Sequence, residues 1–190
     1  MLLLGVLAAQ AEGAVAAAGS YDLLETEILT TTTASVTFSD LNSTYGADYQ
    51  HLQIRFTGRS NKSGDNDNFQ IRINGDSGSN YSAHRLQADG SSFTTSGYSN
   101  QTIMYNAGVL PAATSTANAF AGAVVDILDP FETTKYTTAR SFSGSTSKTL
   151  VALTSGLWMN TAAVTSIELD VLTGNWITGS RFSLYGLRSA

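Results

Sequence analysis

Apolar and polar positions alternate along much of this chain with the period of a strand. Residues 51–56 run His51, Leu52, Gln53, Ile54, Arg55, Phe56, and residues 69–73 repeat the pattern with Phe69, Ile71 and Ile73 on one side. Antiparallel strands with one face in a core require this alternation. Between them lies NKSGDNDN at 61–68, a loop by composition, so 51–73 reads as a hairpin-like pair. The run at 119–128 differs. Phe120, Ala121, Ala123, Val124, Val125, Ile127 and Leu128 are almost unbroken apolar sequence, too short for a membrane span and suited to a strand buried on both faces. Asp129-Pro130 stops it, because proline has no N–H to give a ladder and disfavours helical geometry in the residue before it. Residues 134–140 resume with β-branched and aromatic side chains, as a neighbouring strand would.

Further strands are predicted at 21–29, 30–38, 81–88, 101–109, 150–158, 164–172 and 181–187, with turn chemistry at 40–48, 75–80 and 89–92. No strand–helix–strand alternation and no fixed-period repeat is present. Eight to ten short strands between turns predict an all-β, antiparallel β-sandwich of jelly-roll type. Its core includes Phe56, Val125, Ile127, Leu169 and Leu184. Residues 21–190 form the sandwich domain and 1–20 a separate helical or extended anchor segment.

That segment, MLLLGVLAAQAEGAVAAAGS, has two readings. Residues 2–9 and the small residues Ala16, Ala17 and Ala18 suit a cleaved secretory signal, but no basic residue precedes the apolar part and Glu12 lies before the possible cleavage site. As a short helix it carries Leu3, Leu7, Ala11, Ala14 and Ala18 on one side, and such a stripe needs a partner. Leu3, Leu7 and Val15 are the candidate assembly-anchor residues.

Composition narrows the function. The net charge is −5, only 13% of residues are charged, and Lys and Arg are absent from the first fifty positions. Without a clustered basic face, a nucleic-acid partner is not expected. With no cysteine, disulfides, thiolate metal sites and cysteine nucleophiles are excluded. His51 and His84 lack ligand spacing to any other metal-binding residue. Asp65-Asn66-Asp67-Asn68 lacks the glycine and terminal glutamate of a calcium loop. Asp126 and Asp129, three apart on a strand, point to opposite faces and make a poor acid–base pair. No G-x-S-x-G elbow occurs. The expectation is a protein with no catalytic residues, metal or cofactor.

A resemblance adds to this. HLQIR at 51–55, INGDSGSNYSAHRL at 73–86, the NAF…VVDILD…TTKY run at 118–136, SGLWMNTAAVTSIEL at 155–169 and FSLYGL at 182–187 resemble a family of tailed-bacteriophage virion structural proteins. The likeness covers about residues 20–188, and LLLGVLAAQ followed by SYDLLET also resembles the family's openings. The resemblance implies a virion-surface component of tail-fibre or minor-tail type that presents its polar loops outward, or alternatively a capsid decoration protein. It implies a homotrimer that meets other virion proteins through its N-terminal segment, and a host-surface glycan or protein as a further partner. Tyr98 and Trp176 are the candidate surface-binding aromatics, with core packing as their alternative role. A secreted carbohydrate-binding module is the remaining alternative.

Overall fold

The structure is a computed structural model and describes residues 21–145 and 149–188. The predicted N-terminal anchor, including Leu3, Leu7 and Val15, lies outside the described residues. Those described hold twelve strands and one short helix, α1 (Leu41–Tyr45). The strands are β1 (Tyr21–Ile28), β2 (Ser35–Phe38), β3 (His51–Gly58), β4 (Asn66–Ile73), β5 (Tyr81–Ala88), β6 (Phe93–Gln101), β7 (Met104–Pro111), β8 (Ala121–Leu128), β9 (Thr137–Ser145), β10 (Leu150–Trp158), β11 (Ile167–Val171) and β12 (Arg181–Leu187). They form an antiparallel sandwich of two sheets, ordered β1-β12-β3-β8-β9-β10-β5-β6 and β2-β11-β4-β7.

Eight of these strands pair in a nested way. β1 pairs with β12, β2 with β11, β3 with β8 and β4 with β7, so the first meets the last and the pairing closes inward. Two further pairs, β5-β6 and β9-β10, are inserted between members of this nest and lengthen only the larger sheet. We call the nested eight strands the nucleus and the four added ones the annex.

In the nucleus the side-chain alternation does what the sequence requires. Leu52, Ile54 and Phe56 on β3, Val125 and Ile127 on β8, and Phe182 and Leu184 on β12 are buried against Ile71, Ile73 and Leu169 of the smaller sheet. The five predicted core residues are all buried. Phe56 meets Phe69, Trp176 and Phe182 at ring-centroid distances of 5.0, 5.5 and 5.2 Å, the range in which aromatic pairs add to simple burial.

Two expectations about strands are corrected. Residues 51–73 are not a hairpin: β3 lies in the large sheet and β4 in the small one. The chain crosses between sheets at Arg59 and Ser60, both buried. The Arg59 guanidinium donates to the carbonyls of Ala113, Ser115, Thr116 and Ala119 and so holds the 112–120 loop over the crossing. The loop-like DNDN run is partly strand, because Asp67 turns inward to accept from Ser60 Oγ at 2.7 Å and Gly174 N at 3.1 Å. The second correction concerns β8, which is buried on one face only. Gly122 is exposed and Val124 half-buried on the other.

Candidate functional site

The outward face of the annex carries an apolar row. Strand register places Val124, Phe142, Leu153 and Leu86 side by side on β8, β9, β10 and β5. Neighbours in such a row stand about 5 Å apart, so the four make one continuous strip. Phe142, Leu153 and Leu86 remain 51%, 49% and 43% exposed. Val151 and Phe93 extend the patch on the adjoining row, on β10 and β6. Among the described residues nine large apolar side chains are exposed, and six of them, Leu86, Phe93, Tyr136, Phe142, Val151 and Leu153, belong to the annex or lie one residue before it.

A polar row runs alongside, with Asp126, Arg140, Ser155, His84 and Gly97 as successive cross-strand neighbours. Arg140 Nε donates to Asp126 Oδ2 at 2.9 Å, and Gln53 Nε2 donates to Asp126 Oδ1 at 2.7 Å. Arg55 continues the chain onto the nucleus, donating to Gln53 Oε1 at 2.6 Å and lying over the rings of Tyr185 and Tyr21 at 5.0 and 5.3 Å. Between the two rows the surface is hollowed. A groove of about 740 Å³ is lined by Leu86, Val124, Phe142 and Leu153 with Asp126, Arg140, Ser155 and His84. A second depression of about 410 Å³ lies toward β3 and β12, and Val124 and Phe142 border both.

The inward face of the annex explains why its apolar residues point out. β7, the edge of the small sheet, lies directly beneath β9, β10 and β5. Its free backbone edge is met by hydroxyls from the large sheet: Val109 N donates to Ser143 Oγ at 3.0 Å, Ser141 Oγ donates to Ala107 O, and Thr154 Oγ1 donates to Asn106 O at 3.3 Å. Buried backbone groups at an edge need such partners. Space is tight as well, since a Cβ on Gly156 would run into Met104 Sδ and one on Gly108 into the Phe69 ring. Inward positions therefore hold Ala139, Ser141, Ser143, Ala152, Thr154 and Gly156. Alternation then sends Phe142 and Leu153 outward. Arg85 also points inward from β5, where it donates to Asn68 Oδ1 at 3.0 Å. Burial pulls its pKa down, and Tyr98 opposes that shift.

The ends of the annex are pinned by polar contacts. Asp76 accepts from Trp158 Nε1 and Asn80 Nδ2 at 2.8 Å each and from Gly78 N at 2.8 Å. The Asn80 and Trp158 bonds hold its pKa below the usual carboxylate value. The Tyr81 hydroxyl bonds both the N–H and the carbonyl of Ile73 at 3.0 and 3.1 Å, and burial pushes its pKa up to about 12.

Neither candidate surface-binding aromatic lies in the groove. Trp176 is a correction: it is 0% exposed, packs edge-on against Phe182 at 4.9 Å and donates from Nε1 to Leu169 O at 3.0 Å. A large ring that also satisfies its N–H internally belongs in the core. Tyr98 is half-buried on β6, edge-on to Tyr105 at 5.1 Å, with its hydroxyl accepting from Asn106 Nδ2 at 2.9 Å. Trp176, in the segment between β11 and β12, packs on Phe56 and Phe182, whereas Tyr98 on β6 packs on Tyr105, so the two do not form a joint site. His51 Nδ1 accepts from Asp129 N at 3.0 Å, while His84 sits exposed on the polar row. Among the described residues, no three His, Asp or Glu side chains are grouped to hold a metal ion. Sequence reasoning missed Phe142, Leu153 and Leu86. The available signal was the run of small residues on alternate positions of neighbouring strands, Ser141, Ser143, Ala152, Thr154 and Gly156.

No protein family matches this chain, and no curated protein matches it in sequence. Among solved structures, the exo-inulinase from Aspergillus awamori superposes with a TM-score of 0.39 at 12% identity, over 89% of this chain and 29% of that enzyme. The chain thus spans under a third of that enzyme's length, and a likeness this distant carries no conclusion about its activity.

Proposed function

We propose that this protein is a non-enzymatic structural component of a tailed-bacteriophage virion, of tail-fibre or other surface-appendage type, that self-associates through the annex face. The observation that carries the reading is the inverted annex: contiguous Phe142, Leu153 and Leu86 turned to the outside over an inward layer of serine, threonine and glycine. A contiguous exposed apolar patch of this kind marks an interaction surface. The nested order of the eight nucleus strands supports the jelly-roll reading, an architecture common among capsid proteins. The sequence resemblance supplies the virion context.

The polar row favours recognition over catalysis. Ser155 and His84 are cross-strand neighbours, but Asp126 lies on β8, three strands along the row from His84, and is engaged by Gln53 and Arg140, so it does not orient the imidazole. The direct test is to find the protein in purified particles by immunogold labelling and cross-linking mass spectrometry. Labelling of the tail or its appendages supports the reading, labelling of the shell moves it to capsid decoration, and absence from particles overturns it.

A groove with one aromatic ring beside a hydrogen-bonding row also suits a saccharide. In that second reading the annex face meets a host glycan. Calorimetric titration with an oligosaccharide panel tests it, with binding lost in Phe142→Ala as the expected result and no heat from any sugar as the contrary one.

A further inference from the structure

We infer that the annex face is the seat for residues 2–9 of a neighbouring copy, so that chains are joined by exchanged N-terminal arms. This rests on the annex face being a contact surface. Residues 2–9, LLLGVLAA, contain no polar side chain. The chain therefore carries an apolar segment and an apolar groove, and each removes the other's exposure to water.

The neighbour's arm fits better than the chain's own. The described chain starts at Tyr21 on β1, one edge of the large sheet, whereas the annex ends at β6 on the opposite edge. A direct path from Tyr21 back to the same molecule's groove crosses the outer faces of β12, β3 and β8. Those faces present Arg181 and Arg55 and, at the margin, the Arg140–Asp126 pair, with Arg140 exposed. The connecting residues 10–20 would lie there, and covering guanidinium groups with their mostly small apolar side chains strips water from those groups, with Glu12 the only acid in that stretch to answer them. An arm arriving from the β6 side meets the apolar row without that crossing.

Reach is sufficient. The twelve residues from Ala9 to Tyr21 cover about 18 Å at a helix's rise and about 40 Å when extended. The extended length exceeds the width of the large sheet, whose eight strands stand about 4.8 Å apart, so the arm is long enough to leave its own molecule's β1 edge for a copy beside it. Exchange of an identical element is a low-cost way to join like chains, and a head-to-tail exchange that closes gives a ring.

The absence of cysteine makes the test clean. Full-length Leu7→Cys and Leu153→Cys chains are mixed and oxidised, and each is also oxidised alone. A covalent dimer that forms in the mixture, with a disulfide-linked peptide pair joining positions 7 and 153 found by mass spectrometry, is the expected result. An intrachain link in the Leu7→Cys/Leu153→Cys double variant, with no interchain dimer in the mixture, overturns the exchange. In parallel, full-length Leu7→Asp should fall from oligomer to single chains in light scattering while still unfolding in one cooperative transition. If Leu7→Asp stays oligomeric while Phe142→Asp dissociates, the arm is wrong and the contact face stands. If both stay oligomeric, arm and face fall together.

Discussion

On β3 the inward positions are Leu52, Ile54 and Phe56 and the outward ones Gln53, Arg55 and Thr57; on β9, two strands away, Ala139, Ser141 and Ser143 point in while Arg140 and Phe142 point out. The same sheet thus runs one amphipathic code in the nucleus and nearly its inverse in the annex. The cause of the inverted interior is local. Over the nucleus the sheets are separated by full-sized apolar side chains, whereas under the annex the edge strand β7 sits so close that hydroxyls of Ser141, Ser143 and Thr154 serve its backbone. Polar atoms are tolerated inside because each of these has a partner. Packing against β7 accounts for the small inward residues, but it does not require Phe142, Leu153 and Leu86 to be apolar. Their outward positions accept polar side chains at little cost to the fold. The proposed self-association would account for a continuous apolar strip there.

Substitutions can separate the two codes. The largest loss is expected in the nucleus, where Ile127→Ala opens a cavity in a fully buried site and should lower stability by about 2–5 kcal/mol in chemical denaturation. Inside the annex the limit is space: Gly156→Ala forces a methyl onto Met104 and should cost about 1–3 kcal/mol. Ser143→Ala leaves the buried Val109 N–H without its acceptor, a loss of about 1 kcal/mol. If Gly156→Ala and Ser143→Ala are instead neutral, the annex interior is looser than described and the inversion loses its explanation.

A smaller effect is expected in acid. Because the Asp76 pKa is lowered in the folded state by Asn80 and Trp158, its bonds contribute stability above the ordinary carboxylate pKa, about 4. That contribution is lost as pH falls through the lower folded value. Asp76→Asn should flatten the decline in melting temperature as pH falls below about 4, and an unchanged acid limb would remove Asp76 from the account.

The nucleus is legible in sequence because burial there follows side-chain polarity. Phe56, Val125, Ile127, Leu169 and Leu184 read as core and are buried, and the stop at Asp129-Pro130 ends β8 one residue earlier at Leu128. Pairing is less legible. The loop-like run at 61–68 gives no local sign that the chain changes sheets at Arg59 and Ser60, since that crossing is held by distant carbonyls and by Gly174. Trp176 sits in a polar stretch, NWITGS, whose composition resembles a surface loop, and its burial depends on Phe182 in the following strand and on Phe56, far off in sequence. The annex face is hidden for the same kind of reason. SFSGS read alone places serine outside and phenylalanine inside, and only the approach of β7 reverses it.

The smallest effect on stability is expected where the effect on association is largest. Leu153→Asp on the annex and Thr57→Asp on the nucleus both alter exposed outward positions of the same sheet, so each should change folding free energy by no more than about 0.5 kcal/mol. Sedimentation equilibrium of the two full-length variants beside the parent chain then separates the two faces. The annex face as contact surface predicts that Thr57→Asp keeps the parent's oligomeric mass while Leu153→Asp sediments as a single chain. Two variants that both retain the parent mass, or a parent that is already monomeric at micromolar concentration, contradict it.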